Sequence, residues 1–164
     1  MYTFFFTGKS PFSQWYRCRF VVDGVTYGCC EQFMMHGKAK LFGDADVAAQ
    51  ILAADHPEQH KALGRKVTPF DDATWKRERM NIVRAGNRAK FSQDAALRAA
   101  LLATQGTTLV EASPHDRIWG IGLGAGDPRA QDPTQWKGQN LLGIVLTELR
   151  EELLAASVTE DNSP

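Results

Sequence analysis

The run Arg17-Cys18-Arg19-Phe20-Val21-Val22-Asp23-Gly24-Val25-Thr26-Tyr27 decides the fold, because the pattern of the chain changes just after it. Two segments rich in β-branched and aromatic residues, Arg17 to Val22 and Val25 to Tyr27, flank Asp23-Gly24, the dipeptide favoured at the left-handed positions of a type I′ turn. That is the signature of a hairpin. Beyond Tyr27 the spacing becomes helical and stays so, which predicts a small N-terminal hairpin followed by a predominantly helical chain.

Caps and breaks divide that helical part. Residues 30–41 form one helix that Gly43 ends, and Asp44 caps a second running to about Ala54. Asp55 ahead of His56-Pro57 opens a third, with Gly64 at its stop. Asp71 or Asp72 caps a long helix carrying Trp75, Ile82, Val83 and Ala89, in which Gly86 costs ~1 kcal/mol relative to Ala. Ser92 is expected to cap a further helix with Leu97, Leu101 and Leu102 inside, and Thr107 to Ala112 reads as a short strand. Leu142, Val145, Leu146, Leu149 and Leu153 then repeat at i, i+3, i+4, i+7 and i+11, the cleanest helical stripe in the chain. The expected organisation is one domain over 1–156 with a polar tail over 157–164.

The balance of 43% hydrophobic and 23% charged residues among 164 describes a globular chain rather than a disordered one. Nineteen basic and nineteen acidic residues cancel, which argues against a duplex nucleic-acid binder held by phosphate neutralisation. It leaves room for a protein that takes one nucleotide into a pocket. No apolar run approaches the ~18 residues that span a bilayer, and the N-terminus lacks the basic segment of a secretory leader. Cys18 and the adjacent pair Cys29 and Cys30 do not make a disulfide framework, so a cytoplasmic home is expected.

Three stretches carry candidate chemistry. In the 30–41 helix Glu31 and Lys38 are seven residues apart, which returns to within about 20° of the same face and separates them by roughly 10.5 Å along the axis. That suits two groups flanking a sugar; the competing reading is two solvated charges on a surface helix. The second stretch is Ser113-Pro114-His115-Asp116-Arg117-Ile118-Trp119-Gly120-Ile121-Gly122. Glycines around an indole let a backbone approach a ligand while the ring offers a stacking face; alternatively this is a packed turn with a core Trp. The third is Trp136-Lys137-Gly138-Gln139-Asn140 at the mouth of the last helix, where Asn140 caps or helps hold a phosphate. Residues 113–139 are longer than the ~12–15 residues usual for an unstructured loop, and read as a ligand wall. His56 and His60 have an i, i+4 spacing, but no carboxylate or Cys partner is evident, so no metal is expected.

Taken together these stretches resemble the YbiA-like family, also called the NADAR family. Its pattern matches Phe4-Phe5-Phe6, Pro11-Phe12-Ser13 (with Gln14 where the family usually has Asn), Glu31 and Lys38, Gly64-Arg65, Trp75 and Lys90-Phe91. It continues through Leu101-Leu102-Ala103-Thr104, Leu109-Val110-Glu111, Asp116 to Gly120, and Trp136 to Gly143, covering roughly 4–153 in order. The resemblance implies an α+β, predominantly helical domain that hydrolyses N-glycosidic bonds. Two activities go with it: removal of ribose 5-phosphate from ribosylaminouracil intermediates of riboflavin biosynthesis, and removal of ADP-ribose from modified guanine, including a modified nucleotide inserted from nucleic acid. Neither implies a cofactor, a membrane or a protein partner. The riboflavin-type branch has Trp-Gly-Asp where this chain has Trp119-Gly120-Ile121, so a catalytic carboxylate expected there is missing; either Asp116 or Asp127 replaces it, or the chain uses the branch chemistry that does not need it.

The resemblance and the chemistry assign expected roles. Glu31 stabilises an oxocarbenium-like sugar and positions water. Lys38 serves either as an ammonium or as a desolvated amine forming a Schiff base at C1. Asp116 is the third catalytic candidate. Phe12, Ser13, Trp119, Gly120, Gly122, Trp136 and Asn140 are expected at the substrate. A module that binds ADP-ribose without turning it over is the alternative from a different class.

Overall fold

The computed structural model describes residues 1–161. It is α+β and predominantly helical: β1 (Tyr2–Phe5), β2 (Phe20–Val22), β3 (Val25–Tyr27), α1 (Cys30–Leu41), α2 (Ala45–Ala53), α3 (Pro57–Gly64), α4 (Asp72–Gln93), α5 (Ala95–Leu102), β4 (Thr108–Glu111) and α6 (Leu141–Asp161). The chain divides into two compact units, one of Met1–Ser13 with the segment from Ala95 onward, the other Gln14–Asp94. No helix among the described residues is long and apolar enough to cross a membrane.

In the Gln14–Asp94 unit the expected hairpin is present. β2 and β3 pair antiparallel through a turn with Asp23 at φ 51° and Gly24 at φ 77°. The first strand is shorter than expected, beginning at Phe20 rather than Arg17, although the Cys18 amide still donates to Gly28 O at 3.0 Å. Phe20 lies directly opposite Tyr27 and stacks on it, with Phe33 of α1 edge-on to Tyr27 at 4.9 Å.

α1 occupies the predicted residues and is the hub of this unit, packing against α2, α3 and α4. Its residues Cys30 to His36 are all buried, as in a helix surrounded on every side. Gly86 has a packing reason that its propensity cost conceals: a Cβ there would come within 2.5 Å of Phe33 Cδ1, so its absence lets α4 close on α1. Asp44 caps α2 as predicted and Asp71, of the two aspartates considered, caps α4. Ser92 does not cap: it lies in the last turn of α4, which runs on to Gln93 before α5 starts at Ala95.

In the other unit β1 and β4 pair in parallel, Tyr2 opposite Thr108 and Phe5 opposite Glu111. Val110, Ile121, Leu123 and Ala130 form a buried cluster there, joined by Tyr2, Phe4 and Trp136. The predicted stripe of α6 from Leu142 to Leu153 is buried. α6 runs on to Asp161, so 157–161 of the expected polar tail are helical; 162–164 lie outside the described residues. The 113–139 segment is only partly irregular, since Pro128–Gln131 and Pro133–Gln135 are 3-10 turns capped by Asp127 and Asp132.

Candidate active site

Glu31 is the second residue of α1, where the positive end of the helix dipole favours a carboxylate. It is 5% exposed, which removes the reading of it as a solvated surface charge. Its backbone amide donates to Gln14 O at 2.9 Å. The Gln14 side chain in turn accepts from Asn87 Nδ2 at 2.8 Å, and Cys30 Sγ donates to Asn87 Oδ1 at 3.6 Å. Gln14 Nε2 is buried with no hydrogen-bond partner among the described residues, an unused donor on the residue that holds the Glu31 backbone. A buried amide network of this kind fixes the first turn of α1 more firmly than the cap alone.

That cap is a thiol. Cys29 Sγ accepts the Gln32 amide at 3.4 Å and lies 3.5 Å from His60 Nδ1. His60 Nε2 is 2.8 Å from Ala54 O, which can only accept, so Nε2 carries the proton and Nδ1 accepts from the thiol. Both nitrogens of His60 are thereby engaged, and among the described residues no group of three His, Cys, Asp or Glu could hold a metal. Burial pushes the Cys29 thiol up to about 11 and Cys30 up to about 12, which makes them structural rather than nucleophilic.

Lys38 is half-buried near the other end of α1. Its Nζ lies 4.8 Å from the centroid of the Phe70 ring and 5.5 Å from that of Trp75. Burial is the main cause that lowers its pKa; Arg65 lowers it further, and the Glu31 charge opposes both. Phe70 is carried on a loop anchored by the Thr68 amide, which donates to the second carboxylate oxygen of Asp44 at 2.9 Å. Sequence reasoning missed Phe70, Gln14 and Asn87 as parts of this site. Trp75, Arg65 and Lys90 entered it only as family landmarks. Lys90 is a second buried amine, 1% exposed, with Nζ 5.3 Å from the Tyr16 ring and its pKa lowered by burial.

The remaining candidates lie in the other unit, where most are committed to building it. Asp116 Oδ1 accepts the amides of Ile118 and Trp119, both at 2.8 Å, so this expected catalytic carboxylate shapes the turn that carries half-buried Trp119. Asp127, its suggested substitute, is held well down, to about 2, by a two-pronged ion pair with Arg129. Gly120 faces the protein's own backbone rather than a ligand: a Cβ would lie 2.9 Å from Glu111 O and 3.0 Å from Asp116 O. Gly122 is at φ 69°, a left-handed turn position. Phe12 packs edge-on against Phe5 in the core, and Ser13 is buried. The Trp136 indole donates to Ala130 O at 2.9 Å and packs on Tyr2, a structural role. Asn140, at φ 52°, does not cap α6 with its side chain; it bridges to β4, donating to Leu109 O and accepting from the Glu111 amide, both at 3.0 Å.

Comparison with known proteins bears on this arrangement. A family model described as the NADAR domain matches residues 4–154. An N-glycosidase of Acanthamoeba polyphaga mimivirus is 43% identical over 150 residues, 88% of each chain. Protein irg-1 of Caenorhabditis elegans is 43% identical over 131 residues, and the chain spans only 62% of that protein's length. N-glycosidase YbiA of Escherichia coli is 36% identical over 132 residues, 80% of this chain and 74% of YbiA. The NMR structure of E. coli YbiA matches with a TM-score of 0.79 and 30% identity, covering 96% of this chain and 87% of that one.

Proposed function

The chain belongs to the NADAR domain family, and on that premise we propose that it is an N-glycosidase, hydrolysing the bond between ribose C1 and a base nitrogen. Two relatives that match most of the chain bear that activity in their names. The observation that carries the reading is the α1 pair: a buried carboxylate, Glu31, and a half-buried Lys38 whose pKa responds to it.

Breaking a ribose C1–N bond generates positive charge on the sugar and negative charge on the leaving nitrogen. Glu31 supplies the anion that stabilises the first and orients water toward C1. Lys38 supplies the second requirement as an ammonium that protonates the leaving base; in its other role, as a free amine, it bonds C1 as the bond from C1 to the base breaks, and water then hydrolyses the link to Lys38 and releases the sugar. Lowering its pKa serves both roles, since the ammonium becomes a stronger acid and more of the lysine is free amine. The substrate class is a nucleotide, either ADP-ribosylated guanine, free or swung out of nucleic acid, or a ribosylaminouracil phosphate.

A second reading, a module that binds ADP-ribose without turnover, is favoured by one observation. Where the riboflavin-type branch has a carboxylate, Ile121 is 0% exposed in the core, so no acid stands at that position. One experiment separates the readings. ADP-ribosylguanosine and the ribosylaminouracil phosphate are offered at equal concentration, and free ADP-ribose and ribose 5-phosphate are measured. Release from either supports hydrolysis and names the branch; tight binding of ADP-ribose with no release from either sinks the enzyme reading in favour of the module.

A further inference from the structure

α3 ends against α1 one turn ahead of Lys38. A Cβ on Gly64 would lie 1.9 Å from Met35 Sδ and 2.9 Å from Met35 Cγ, so the end of α3 is seated on the Met35 side chain. Met35 and Lys38 are i, i+3 neighbours on α1. Arg65, the next residue after Gly64, follows directly from this contact, one turn of α1 from Lys38. Arg65 is exposed, and neither cation has an acidic ion-pair partner among the described residues. Phe70 and Trp75 flank the Lys38 ammonium and close off part of its solvent.

Two like charges repel one another, and an anion bound by both turns that repulsion into attraction. We propose that Arg65 is a phosphate-recognition residue of this site, gripping the phosphoryl group on the 5′ side of the ribose while Lys38 and Glu31 work at C1. The chemistry fits a guanidinium better than a second lysine, since its planar fork meets two phosphate oxygens at once. The depressed Lys38 pKa agrees, because Arg65 is one of its causes. Both substrates under the N-glycosidase reading carry a phosphoryl group at that position, and the proposal rests on that reading for its ligand. It assigns a recognition function to a residue outside the Glu31 and Lys38 pair, and makes the site selective for phosphorylated ribose.

The test is a titration that needs no turnover. The full chain is titrated calorimetrically with ribose 5-phosphate and with ribose, as the wild type, Arg65→Gln, Arg65→Lys and Lys66→Gln, the last a neighbouring exposed cation as control. Arg65→Gln is expected to weaken ribose 5-phosphate about tenfold or more, Arg65→Lys less, and Lys66→Gln by less than about twofold, with ribose unchanged throughout. Inorganic phosphate added to the wild type should also shift the Arg65 Nε–H resonance ahead of the other arginines, a readout that stands if a variant fails to fold. Equal losses in Arg65→Gln and Lys66→Gln, a parallel loss for ribose, no preference of the wild type for the phosphate, or phosphate shifts confined to other arginines would each overturn it. Failure of the substrate panel, by contrast, would remove the hydrolase reading and leave this titration as it stands.

Discussion

The Lys38 ammonium lies 4.8 Å from the centroid of the Phe70 ring, with the Trp75 ring at 5.5 Å, so a lysine near the end of a buried helix faces aromatic carbon rather than water. An aromatic face attracts the charged form, while burial disfavours it. Burial wins here, with Arg65 acting in the same direction. That balance makes the lysine's titration a direct report on the site.

Lys38 is expected to titrate below the ordinary lysine value of ~10.4. Because the Glu31 charge raises its pKa and Arg65 lowers it, Glu31→Gln should move the midpoint further down and Arg65→Gln should move it up. Following the Lys38 side-chain carbon shift against pH checks all three. A midpoint at or above the ordinary value, or two variants that shift the same way, would contradict the electrostatic picture.

The amine role of Lys38 has its own chemical signature. If nitrogen bonds C1 of the opened ribose, borohydride added during turnover reduces the C=N bond and leaves a sugar on the peptide containing Lys38, detected as a mass increase. Lys38→Arg should then lose both adduct and turnover, since a guanidinium keeps its proton in this range. A Lys38→Arg variant with full turnover would leave only the charge role, with water as the nucleophile.

Asn87 is predicted to be a stability residue that acts on the site through Gln14. It is 0% exposed, donates to Gln14 Oε1 at 2.8 Å and to Val83 O at 2.9 Å, and accepts from Cys30. Asn87→Ala strands the buried Gln14 carbonyl and should cost about 1–3 kcal/mol, read from the urea midpoint. The same variant should lower kcat more than it raises KM, because Gln14 holds the Glu31 backbone. An unchanged midpoint would show that the network carries no energy.

The legible parts of this chain were the local ones. Asp44 and Asp71 each cap a helix by bonding an amide three residues on, and both could be read from spacing. The Asp23-Gly24 turn was equally local. Ser92 failed as a cap because α4 runs on past it to Gln93, and how far a helix continues is not set by local spacing. Lys38 shows where sequence stops. Its own helix shows only that it lies near the end of α1, whereas the rings beside it are Phe70 and Trp75. Those come from beyond α3, more than thirty residues along the chain. Gly120 is required by the backbone of Glu111 and Asp116, a close approach that spacing in the sequence does not reveal. The parallel pairing of β1 with β4 was not foreseen, because nothing in either strand names a partner about a hundred residues away.

The measurement that bears most directly on the central claim is release of free sugar phosphate or ADP-ribose by the wild type and by Glu31→Gln, side by side. Glu31→Gln keeps the shape of the buried side chain and removes its charge, so the variant should fold and bind the product while turnover falls about 10²-fold or more. Turnover equal to that of the wild type would remove Glu31 from the chemistry and contradict the account.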